Sequence, residues 1–571
     1  MPLKLDNGVC TEWRVRKIGV IGPGIVGMPM AALLADARLK EGTDEPAKVV
    51  VVQRNSPTSG WKVDAINAGK SVIGGVEPAL DRIVSETVAE GILSASHDYS
   101  ALSDADVVLV CVQTDKKGLE PDYGPLFGAL DHLAEALSRK PADNIPIVCF
   151  ESTLAPSTMA TLVRDHFARY GLVEGRDILL GNSPNRVMPG RLVERVAAAD
   201  KLIAGLHPAT PELIARLYSR IVTKGKLHQT NSMTAEVVKT LENAYRDVRI
   251  AFATEIVRYC DEHDIDFYAV RDEVNSRIAQ SDDASASATA VPIGGILVPM
   301  IGVGGHCLPK DGILLWWRRI ESGADTSNSL ILRSREINDA SPAETLSFAD
   351  KRIGAISAKN VAVMGAAYRF DSEDTRNSPT LYTAKLLLER GCNIRIHDPY
   401  VKGDDQNLKR FGLSEYFTND LGDAVGDAEV CVFCTGHGVY ERHFDEIRSA
   451  APELLAIVDG ANLYSESQVG DLAYVGIGRG RQAPSPEFLD FVEESFRAVE
   501  HGAANEVQAL VNFLNKNFAN SEFNKVRFET VRQLASTCAT GCDIAETKTS
   551  VEMPEYRGFA CQLAACAHNA A

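Results

Sequence analysis

The stretch KIGVIGPGIVGMPMAALLADA, residues 17–37, decides the fold of this chain. It begins with a short apolar run, continues through glycines at 22, 24 and 27, and ends in apolar residues at helical spacing. A strand that passes through a glycine turn into a helix is the opening unit of a doubly wound α/β domain. The sequence therefore predicts a parallel sheet that starts near residue 17.

Later segments repeat this pattern of buried strand and helix. AKVVVVQ (47–53), DADVVLVCV (104–112) and NIPIVCF (144–150) are continuous apolar runs, which is typical of strands buried on both faces. The pattern returns in NVAVMGAAY (360–368), where a strand ends at a glycine, and in the later strand NIRIHDPY (393–400). We therefore expect an α/β chain with two Rossmann-like doubly wound domains.

A long helix is predicted between these domains. Apolar residues recur at helical spacing over 230–264, and Asn231 or Ser232 is a suitable N-cap. A helix of about 30 residues spans roughly 45 Å, so it can join the two domains and offer a face for dimerisation. Near the C-terminus the pattern indicates one further helix, over 485–516, and then a less regular end.

Composition limits the class of protein. A chain of 571 residues is too long for one hydrophobic core, and a net charge of −18 argues against a nucleic-acid interface, which needs a basic face. The N-terminus lacks an apolar secretory region, and no run of about 18 apolar residues occurs, so we expect no membrane span. The twelve cysteines are scattered, unlike a disulfide scaffold, which indicates a cytoplasmic protein.

The glycines of residues 22–27 form a G-x-G-x-x-G loop between a strand and a helix. Gly22 allows the tight turn, Gly24 lets the backbone approach a pyrophosphate, and Gly27 permits close helix–strand packing. Ile25 and Val26 lie between them at the helix N-terminus, which attracts phosphate. A purely structural turn is the alternative, but the position after a strand favours a dinucleotide site.

The end of the second strand is expected to hold the ribose of a dinucleotide. An Asp or Glu is usual there, whereas this chain has Gln53 and Arg54. Glutamine can bond a ribose hydroxyl, and Arg54 can accommodate a 2′-phosphate. The default cofactor is NAD, and NADP stays open.

One face of the long helix carries polar groups. Lys239, Asn243 and Arg246 lie at i, i+4 and i+7, and therefore share that face. One interpretation is that these side chains form a polar face exposed to solvent. The apolar neighbours indicate a buried helix instead, in which a lysine and an amide can stabilise a developing oxyanion.

A cysteine stands among glycines in IGVGGHCLPKD, residues 301–311. Cys307 can be a buried small hydrophobe, a metal ligand or a nucleophile. No second cysteine lies at zinc-ligand spacing, and glycines at 302, 304 and 305 suggest a close approach to the backbone. Asp311 follows one turn later, where it can orient a water or a lysine.

Four more cysteines lie near the C-terminus, at 538, 542, 561 and 566. Their C-x₃-C and C-x₄-C pairs are separated by a gap of 18 residues, which is unlike the spacing of a compact zinc site. We therefore predict no metal site.

Six motifs in order resemble the nucleotide-sugar 6-dehydrogenases, the family of UDP-glucose and UDP-N-acetylhexosamine dehydrogenases. They are GPGIVG (22–27), ESTLAPST (151–158), SPNRVMPGR (183–191), TAEVVKTLENAYRDVRIAFATE (234–255), GVGGHCLPKD (302–311) and AAYRFDSEDTRNSP (366–379). The resemblance covers about residues 17–480. It implies an NAD-binding Rossmann domain over 1–228, a central dimerisation and catalytic segment over 229–340, a UDP-sugar-binding Rossmann-like domain over 341–480, and an extension of unknown role over 481–571.

The resemblance implies a four-electron oxidation of a sugar C6 alcohol to a carboxylate, with two NAD per turnover. A cysteine adds to the intermediate aldehyde, hydride leaves, and water cleaves the resulting thioester. Cys307 matches this nucleophile. Lys239 and Asn243 match the groups that hold the C6 oxygen, and Asp311 matches a residue that supports the water and Lys239.

Other residues acquire roles only through the resemblance. The cofactor contacts implied beyond the glycine loop are Gln53, Arg54, Thr114 near the nicotinamide, Thr153, and Arg376 from the C-terminal domain. The substrate contacts implied beside Lys239 and Asn243 are Arg186, Arg246, Arg249, Gly304 and Arg369.

One position departs from the family pattern. Where the family usually has the glutamate of S-P-E-R, proposed to assist thioester hydrolysis, this chain has Asn185. Asparagine cannot act as a base, so Glu151 would substitute for it or Asp311 would act alone. We therefore expect thioester hydrolysis to be the slow step.

The sugar is suggested by GGHC together with RDVRIAFATE, which resemble the branch that acts on UDP-N-acetylhexosamines. N-acetylmannosamine is the first expectation, N-acetylglucosamine, N-acetylgalactosamine and UDP-glucose are alternatives, and the product would serve surface polysaccharide synthesis. A homodimer or higher homo-oligomer is implied. Asn185 and Gln53 also fit a nucleotide-binding regulatory module with impaired catalysis, whereas the cysteine argues against a plain two-electron dehydrogenase.

Overall fold

The computed structural model describes residues 2–4, 10–73, 77–140, 144–186, 191–281, 295–538 and 542–570. Residues 187–190 of the SPNRVMPGR motif, and the low-complexity loop after residue 281, lie outside these ranges. The chain forms two compact units. Unit 1 contains Met1–Glu242, Ile313–Ala324 and Val507–Asp543, and unit 2 contains Asn243–Gly312, Asp325–Glu506 and Ile544–Ala571.

An eight-stranded sheet is the frame of unit 1. The strands of this unit are β1 Pro2–Lys4, β2 Cys10–Glu12, β3 Lys17–Ile21, β4 Lys48–Val52, β5 Leu93–Ser96, β6 Val107–Val110, β7 Asp115–Lys117, β8 Glu120–Asp122, β9 Ile147–Phe150, β10 Leu179–Asn182, β11 Lys201–Gly205 and β12 Leu227–Asn231. The sheet order is β12-β11-β10-β9-β6-β3-β4-β5, while β1–β2 and β7–β8 form separate two-stranded pairs. All neighbours in the large sheet are parallel except β10 and β11, an antiparallel pair that the sequence pattern did not predict.

The central strands of unit 1 are buried on both faces, as their apolar runs predicted. Val107, Val108, Leu109 and Val110 of β6 are at most 1% exposed. Successive residues of a strand point to opposite faces, so both faces of this sheet must be covered. The layered architecture of a doubly wound domain is thereby confirmed for unit 1.

A six-stranded sheet is the frame of unit 2. Its strands are β13 Asn360–Met364, β14 Asn393–His397, β15 Phe417–Thr418, β16 Val430–Phe433, β17 Ala456–Asp459 and β18 Ala473–Gly476. Their order is β15-β14-β13-β16-β17-β18, and every neighbouring pair is parallel. The second predicted Rossmann-like domain is confirmed.

The helices complete both units. They are α1 Gly27–Asp36, α2 Trp61–Asn67, α3 Pro78–Ala89, α4 Gly124–Leu137, α5 Arg164–Ala168, α6 Leu192–Ala198, α7 Thr210–Tyr218, α8 Ser232–Glu262, α9 Phe267–Ser281, α10 Leu308–Glu321, α11 Leu330–Ile353, α12 Pro379–Glu389, α13 Gln406–Phe411, α14 Leu421–Val425, α15 Gly438–Arg442, α16 Phe444–Ala450, α17 Glu466–Val469, α18 Pro486–Phe518, α19 Phe528–Ala535 and α20 Gln562–Ala570. Short 3₁₀ helices lie at Tyr99–Leu102 and Ser414–Tyr416, and a π-helical turn lies at Met159–Val163. Within the described ranges, no helix combines the length and hydrophobicity that a membrane crossing requires.

The long central helix is confirmed as α8, with 31 residues. Its N-cap is Asn231, whose Oδ1 accepts a hydrogen bond of 2.8 Å from the backbone N–H of Thr234. The apolar positions of its middle turns are fully buried: Leu241, Val248 and Phe252 are at most 1% exposed. Burial of these turns supports the interpretation of α8 as a core helix rather than a solvated one.

The C-terminal extension is more structured than its sequence pattern suggested. The helix expected over 485–516 is confirmed as α18, but α19 and α20 were not predicted. Within unit 2 the extension packs on the second half of α8, where ring centroids lie 5.4 Å apart for Phe252 and Phe496, and 4.5 Å apart for Tyr259 and Phe559. The α8 face that carries Phe252 and Tyr259 is therefore covered by this chain itself, and dimerisation through another face of α8 stays a prediction.

Candidate active site

The glycine loop of unit 1 joins β3 to α1. Gly22 has φ +90°, a left-handed conformation that favours glycine, and a Cβ there would lie 2.9 Å from the carbonyl oxygen of Cys111. A Cβ at Gly27 would collide with the carbonyl oxygen of Gly22. Both glycines are thus required by packing within the chain itself.

Gly24 differs from its neighbours, since a Cβ there would meet no described atom within 4 Å. The open space over Gly24 is a cradle that a side chain would fill, and it lies at the N-terminus of α1. Backbone N–H groups at a helix N-terminus bind phosphate. The loop therefore fits the pyrophosphate of a dinucleotide.

Replacing Gly24 with valine is expected to weaken NAD binding at least about tenfold, because the side chain would fill the space through which the backbone approaches the pyrophosphate. The fold should tolerate the change, because no described atom is near the new side chain. Isothermal titration of NAD⁺ measures the affinity. Gly128→Val is the matched control, since Gly128 in α4 also has open space around its Cβ position, and equal affinities of the two variants would contradict the prediction.

The other cofactor residues of unit 1 lie where neighbouring parallel strands end. Thr114 follows β6, and its Oγ1 donates a 2.7 Å hydrogen bond to the carbonyl oxygen of Thr153, which follows β9. Because β3, β6 and β9 are adjacent and parallel, Thr114 and Thr153 lie at the same sheet edge as the glycine loop. This edge is where open α/β sheets bind ligands.

Gln53 and Arg54 follow β4 at the same edge. The side-chain amide of Gln53 donates a 2.9 Å hydrogen bond to Ser59 Oγ. Arg54 is exposed and lines a cavity of about 350 Å³ together with His97, Tyr99 and Arg139, among others. Both residues stay predicted cofactor contacts.

Lys62 is a residue of this region that sequence reasoning missed. Its Nζ donates a 3.3 Å hydrogen bond to the carbonyl oxygen of Pro23 inside the glycine loop. Burial lowers the pKa of Lys62. Lys62 lies 39 positions from Pro23 in the sequence and belongs to no motif, so this contact could not be predicted from sequence.

Cys307 of unit 2 is exposed and directly precedes α10. Its carbonyl oxygen accepts hydrogen bonds from the backbone N–H groups of Lys310, at 3.1 Å, and Asp311, at 2.9 Å. Cys307 therefore occupies the N-cap position, at the positive end of the helix dipole. That position favours negative charge, which suits a nucleophilic sulfur more than a packing residue.

The glycines before Cys307 are explained by packing within unit 2. A Cβ at Gly304 would lie 2.5 Å from Tyr368 Cβ, and one at Gly305, where φ is +89°, would lie 2.9 Å from the Tyr368 ring. The backbone N–H of Gly305 donates to the carbonyl oxygen of Arg376 at 2.8 Å, and Asn377 Nδ2 donates to the carbonyl oxygen of Gly305 at 3.0 Å. The expected close approach is real, and the approaching group is the loop that follows β13.

Asp311 is fully buried between two donors. Its Oδ2 accepts a 2.5 Å hydrogen bond from Asn243 Nδ2, and its Oδ1 accepts a 2.6 Å hydrogen bond from Lys310 Nζ. Asp311 is 0% exposed and Lys310 is 2% exposed. The sequence did not single out Lys310 as a partner of Asp311, and support of Lys239 by Asp311 stays a prediction.

Arg376 and Arg369 belong to the loop of unit 2 that packs over the glycines before Cys307. Arg376 forms an ion pair with Asp374, with 2.5 Å between Nη2 and Oδ2, and this hydrogen bonding raises the pKa of Arg376. Cys307 also contributes to that rise, so the two side chains are within electrostatic reach. The guanidinium of Arg369 lies 5.6 Å from the centroid of the Phe370 ring. Their roles towards cofactor and substrate stay predictions.

The remaining predicted residues lie on α8 or in SPNR. Lys239 is 8% exposed, while Asn243 and Arg246 are half-buried. Arg249 is buried in unit 2 and donates to the carbonyl oxygen of Gly295. Arg186 is buried in unit 1 and forms an ion pair with Glu242. The two buried arginines serve internal contacts, and substrate contact by either stays a prediction.

Glu151 was considered as a substitute base for Asn185. Its carboxylate is buried in unit 1, where it pairs with Lys201 Nζ at 2.7 Å and accepts a 2.5 Å hydrogen bond from the Tyr218 hydroxyl. Both carboxylate oxygens are therefore occupied by fixed donors. This arrangement makes Glu151 a structural residue and leaves it unsuited to activate a water molecule.

The cysteines of the extension lie in two local settings, Cys538 and Cys542 beside Glu242 in unit 1 and Cys561 beside Glu255 in unit 2. Cys542 is 0% exposed, and Cys561 donates a 3.2 Å hydrogen bond to Glu255 Oε2. Across the described part of the chain, no three His, Cys, Asp or Glu side chains are placed to hold a metal ion.

Three family models match this chain in the order of its domains. They are the NAD-binding domain of the UDP-glucose/GDP-mannose dehydrogenase family at residues 16–222, its central domain at 233–340 and its UDP-binding domain at 362–466. The chain belongs to this family. The family expectation and NAD as cofactor are confirmed, and the chain is an oxidoreductase of the nucleotide-sugar dehydrogenases.

Several members of this family are similar over most of their length. UDP-N-acetyl-D-mannosamine dehydrogenase of Pyrococcus horikoshii is 31% identical over 469 residues, which cover 81% of this chain and 99% of that protein. NDP-N-acetyl-D-galactosaminuronic acid dehydrogenase of Ralstonia nicotianae is 30% identical over 410 residues, covering 70% of this chain and 86% of that protein. The crystal structure of NDP-N-acetyl-D-galactosaminuronic acid dehydrogenase from Methanosarcina mazei Go1 superposes with a TM-score of 0.68 at 31% identity, and covers 82% of this chain and 96% of that chain.

Proposed function

We propose that this dehydrogenase oxidises the C6 alcohol of a UDP-N-acetylhexosamine to the carboxylate, with UDP-N-acetylmannosamine as the expected substrate. One observation carries the four-electron chemistry: Cys307 is exposed at the N-terminus of α10, one turn before a buried Asp311 that holds Asn243. The two relatives named as dehydrogenases of N-acetylated amino sugars support the choice of sugar.

Cys307 supplies the nucleophile that the second oxidation needs. The glycine loop would hold NAD, which would supply the hydride acceptor for both oxidations of C6. The sulfur of Cys307 forms a bond to C6 of the aldehyde, which restores a tetrahedral carbon that bears hydrogen. After hydride loss the acyl group is a thioester, and water breaks the C–S bond, giving the carboxylate, a proton and the thiol of Cys307.

Asn243 and Lys239 stabilise the oxygen on C6. They lie four residues apart on α8, so both point from one face of the helix. Asp311 fixes the direction of the Asn243 amide through the 2.5 Å hydrogen bond. A donor held in place before the reaction stabilises an oxyanion more than one that must reorient.

Thioester hydrolysis is proposed as the slow step. Asn185 cannot act as a base, and Glu151 is occupied by Lys201 and Tyr218. Asp311 is the other carboxylate that was expected to assist thioester hydrolysis. Its two oxygens already accept hydrogen bonds from Lys310 and Asn243.

The setting of the reaction is part of the proposal. None of the described cysteines is in a disulfide, which supports a reducing cytoplasm. The product would be a uronate for surface polysaccharide synthesis. We propose a homodimer or higher homo-oligomer whose contacts lie outside the α8 face that Phe496 and Phe559 cover.

The yield of NADH per sugar tests this function. We expect two NADH per molecule of UDP-N-acetylmannosamine at complete conversion, measured at 340 nm with limiting sugar, and slower turnover of UDP-N-acetylglucosamine, UDP-N-acetylgalactosamine and UDP-glucose. One NADH per sugar would indicate a simple two-electron dehydrogenase. No NADH from any of these sugars would favour a nucleotide-binding regulatory module, and parallel reactions with NADP⁺ establish the cofactor preference.

A further inference from the structure

The ESTLAPST segment, residues 151–158, follows β9 at the cofactor edge of unit 1. The glycine loop follows β3, and Gln53, the predicted ribose contact, follows β4 on one side of that loop. A dinucleotide crosses a doubly wound sheet at this point, so its nicotinamide half would lie on the other side, over the ends of β6 and β9. Thr114 and Thr153 follow these two strands and are joined by the 2.7 Å hydrogen bond. The segment would therefore border the nicotinamide half of NAD.

Glu236 of α8 holds this segment through two backbone N–H groups. Its Oε2 accepts a 2.8 Å hydrogen bond from the N–H of Ser157, and its Oε1 accepts a 2.8 Å hydrogen bond from the N–H of Met159. Glu236 is 1% exposed, and Ser157 and Met159 are 0% exposed. Both oxygens of a buried carboxyl thus fix one turn of the chain.

The turn at Ser157 depends on contacts from other segments. Ser157 has φ +74°, a left-handed conformation that a residue with a side chain keeps only when its surroundings fix it. Arg318 gives a second support: its Nε donates a 2.8 Å hydrogen bond to Ser157 Oγ, and its Nη2 donates a 2.7 Å hydrogen bond to Thr161 Oγ1. The ring centroid of Phe518, from the C-terminal extension, lies 4.9 Å from the Arg318 guanidinium. Glu236 therefore holds the backbone of this turn, and Arg318 holds its side chains.

We propose that Glu236 is a positioning residue of the NAD site: by fixing the turn at residues 157–159 to α8, it places Thr153, and through Thr153 also Thr114, beside the nicotinamide half of the cofactor. Glutamine at position 236 has one acceptor oxygen in place of two. One of the two buried N–H groups would then face an amide donor and lose its partner, which loosens the turn. This role concerns NAD binding and is independent of the identity of the sugar.

Hydrogen exchange of the protein without cofactor is the first test, with Glu236→Gln as the variant. We expect the peptide that contains Ser157 and Met159 to exchange about tenfold faster or more, since a buried N–H without a partner weakens the turn. Burial raises the pKa of Glu236 to about 8, and ionised oxygens are the stronger acceptors, so the exchange is measured at about pH 9. Glu77→Gln is the matched control, because Glu77 is 5% exposed in unit 1 and accepts a 3.0 Å hydrogen bond from the N–H of Leu192. It should leave exchange in the same peptide unchanged.

Cofactor affinity is the second test, and it separates positioning from a general loosening of the fold. ADP-ribose shares the adenosine, the pyrophosphate and both riboses with NADH but lacks the nicotinamide ring. In Glu236→Gln we expect the Kd of NADH to rise about tenfold and the Kd of ADP-ribose to change by about twofold or less, measured by isothermal titration at the same pH. Arg318→Lys keeps the charge but loses the fork that bonds both Ser157 and Thr161. It should show the same contrast, and it replaces Glu236→Gln if that variant does not fold.

Unchanged exchange at Ser157 and Met159 in Glu236→Gln would overturn the inference, because the carboxyl would then not hold the turn. Equal loss of affinity for NADH and ADP-ribose, or no loss for either, would also overturn it, because the turn would then not serve the nicotinamide half. A parent chain that oxidises no UDP-sugar, with the expected contrast between NADH and ADP-ribose in the variant, would overturn the proposed function alone.

Discussion

Replacing Cys307 with alanine is expected to lower formation of the second NADH from a UDP-N-acetylhexosamine by at least about 1000-fold, because only the second oxidation begins with the bond from this sulfur to C6 and removal of a catalytic nucleophile costs this much or more. The thiol is exposed at the N-cap of α10. The variant should therefore fold normally. Steady-state rates at 340 nm measure the loss, and melting temperature checks the fold.

Cys566→Ala is the control for this substitution. Cys566 lies on α20 of the same unit, is 8% exposed and has no proposed role in the chemistry, so its loss should leave the rate close to that of the parent chain. Rapid acid quenching of the parent chain during turnover should show a substrate-derived mass on the peptide that contains Cys307. If that mass is missing at every time point, slow thioester hydrolysis is wrong. If Cys307→Ala still forms two NADH per sugar at the rate of the parent chain, the assignment of Cys307 as the nucleophile is wrong.

The fold could be predicted from sequence because buried parallel strands have a distinctive composition. The run over 47–53 is apolar at consecutive positions, which few structures other than a strand covered on both faces allow. The composition of β10 and β11 does not indicate that they pair antiparallel, because the direction of a strand depends on the segment that connects it to its neighbour. The end of the chain was interpreted as irregular because α19 and α20 have only eight and nine residues.

The candidate site could be predicted where its residues are close in sequence. The backbone hydrogen bond from Asp311 to Cys307 follows from one helical turn, as expected. Contacts between residues that are far apart in the sequence could not be predicted in this way. The Gly304 contact with Tyr368 and the Arg186 contact with Thr537 depend on how distant segments pack, and 351 positions separate the last two residues.

Asp311→Asn is the second substitution with a large expected effect, because it changes both stability and chemistry. Lys310 would keep a charge that is 2% exposed while losing its carboxylate partner at 2.6 Å. Breaking a buried pair from one side costs about 3–5 kcal/mol. Asparagine has one acceptor oxygen, and the buried ammonium of Lys310 would take it, so Asn243 would lose the acceptor that fixes its amide. We therefore expect the rate of NADH formation to fall about 100-fold or more. Urea unfolding and steady-state rates measure the two effects.

A second variant separates these effects. Lys310→Met combined with Asp311→Leu removes both buried charges and also the acceptor of Asn243, so we expect most of the lost stability to return while the rate stays low. Asp272→Asn is the surface control, because the Arg271–Asp272 pair also joins adjacent residues but leaves Asp272 71% exposed. Exposed ion pairs contribute about 1 kcal/mol or less to stability, so Asp272→Asn should change stability and rate very little. Recovery of both stability and rate in the double variant would show that Asp311 serves only to neutralise Lys310, whereas loss of rate at recovered stability assigns Asp311 to the orientation of Asn243.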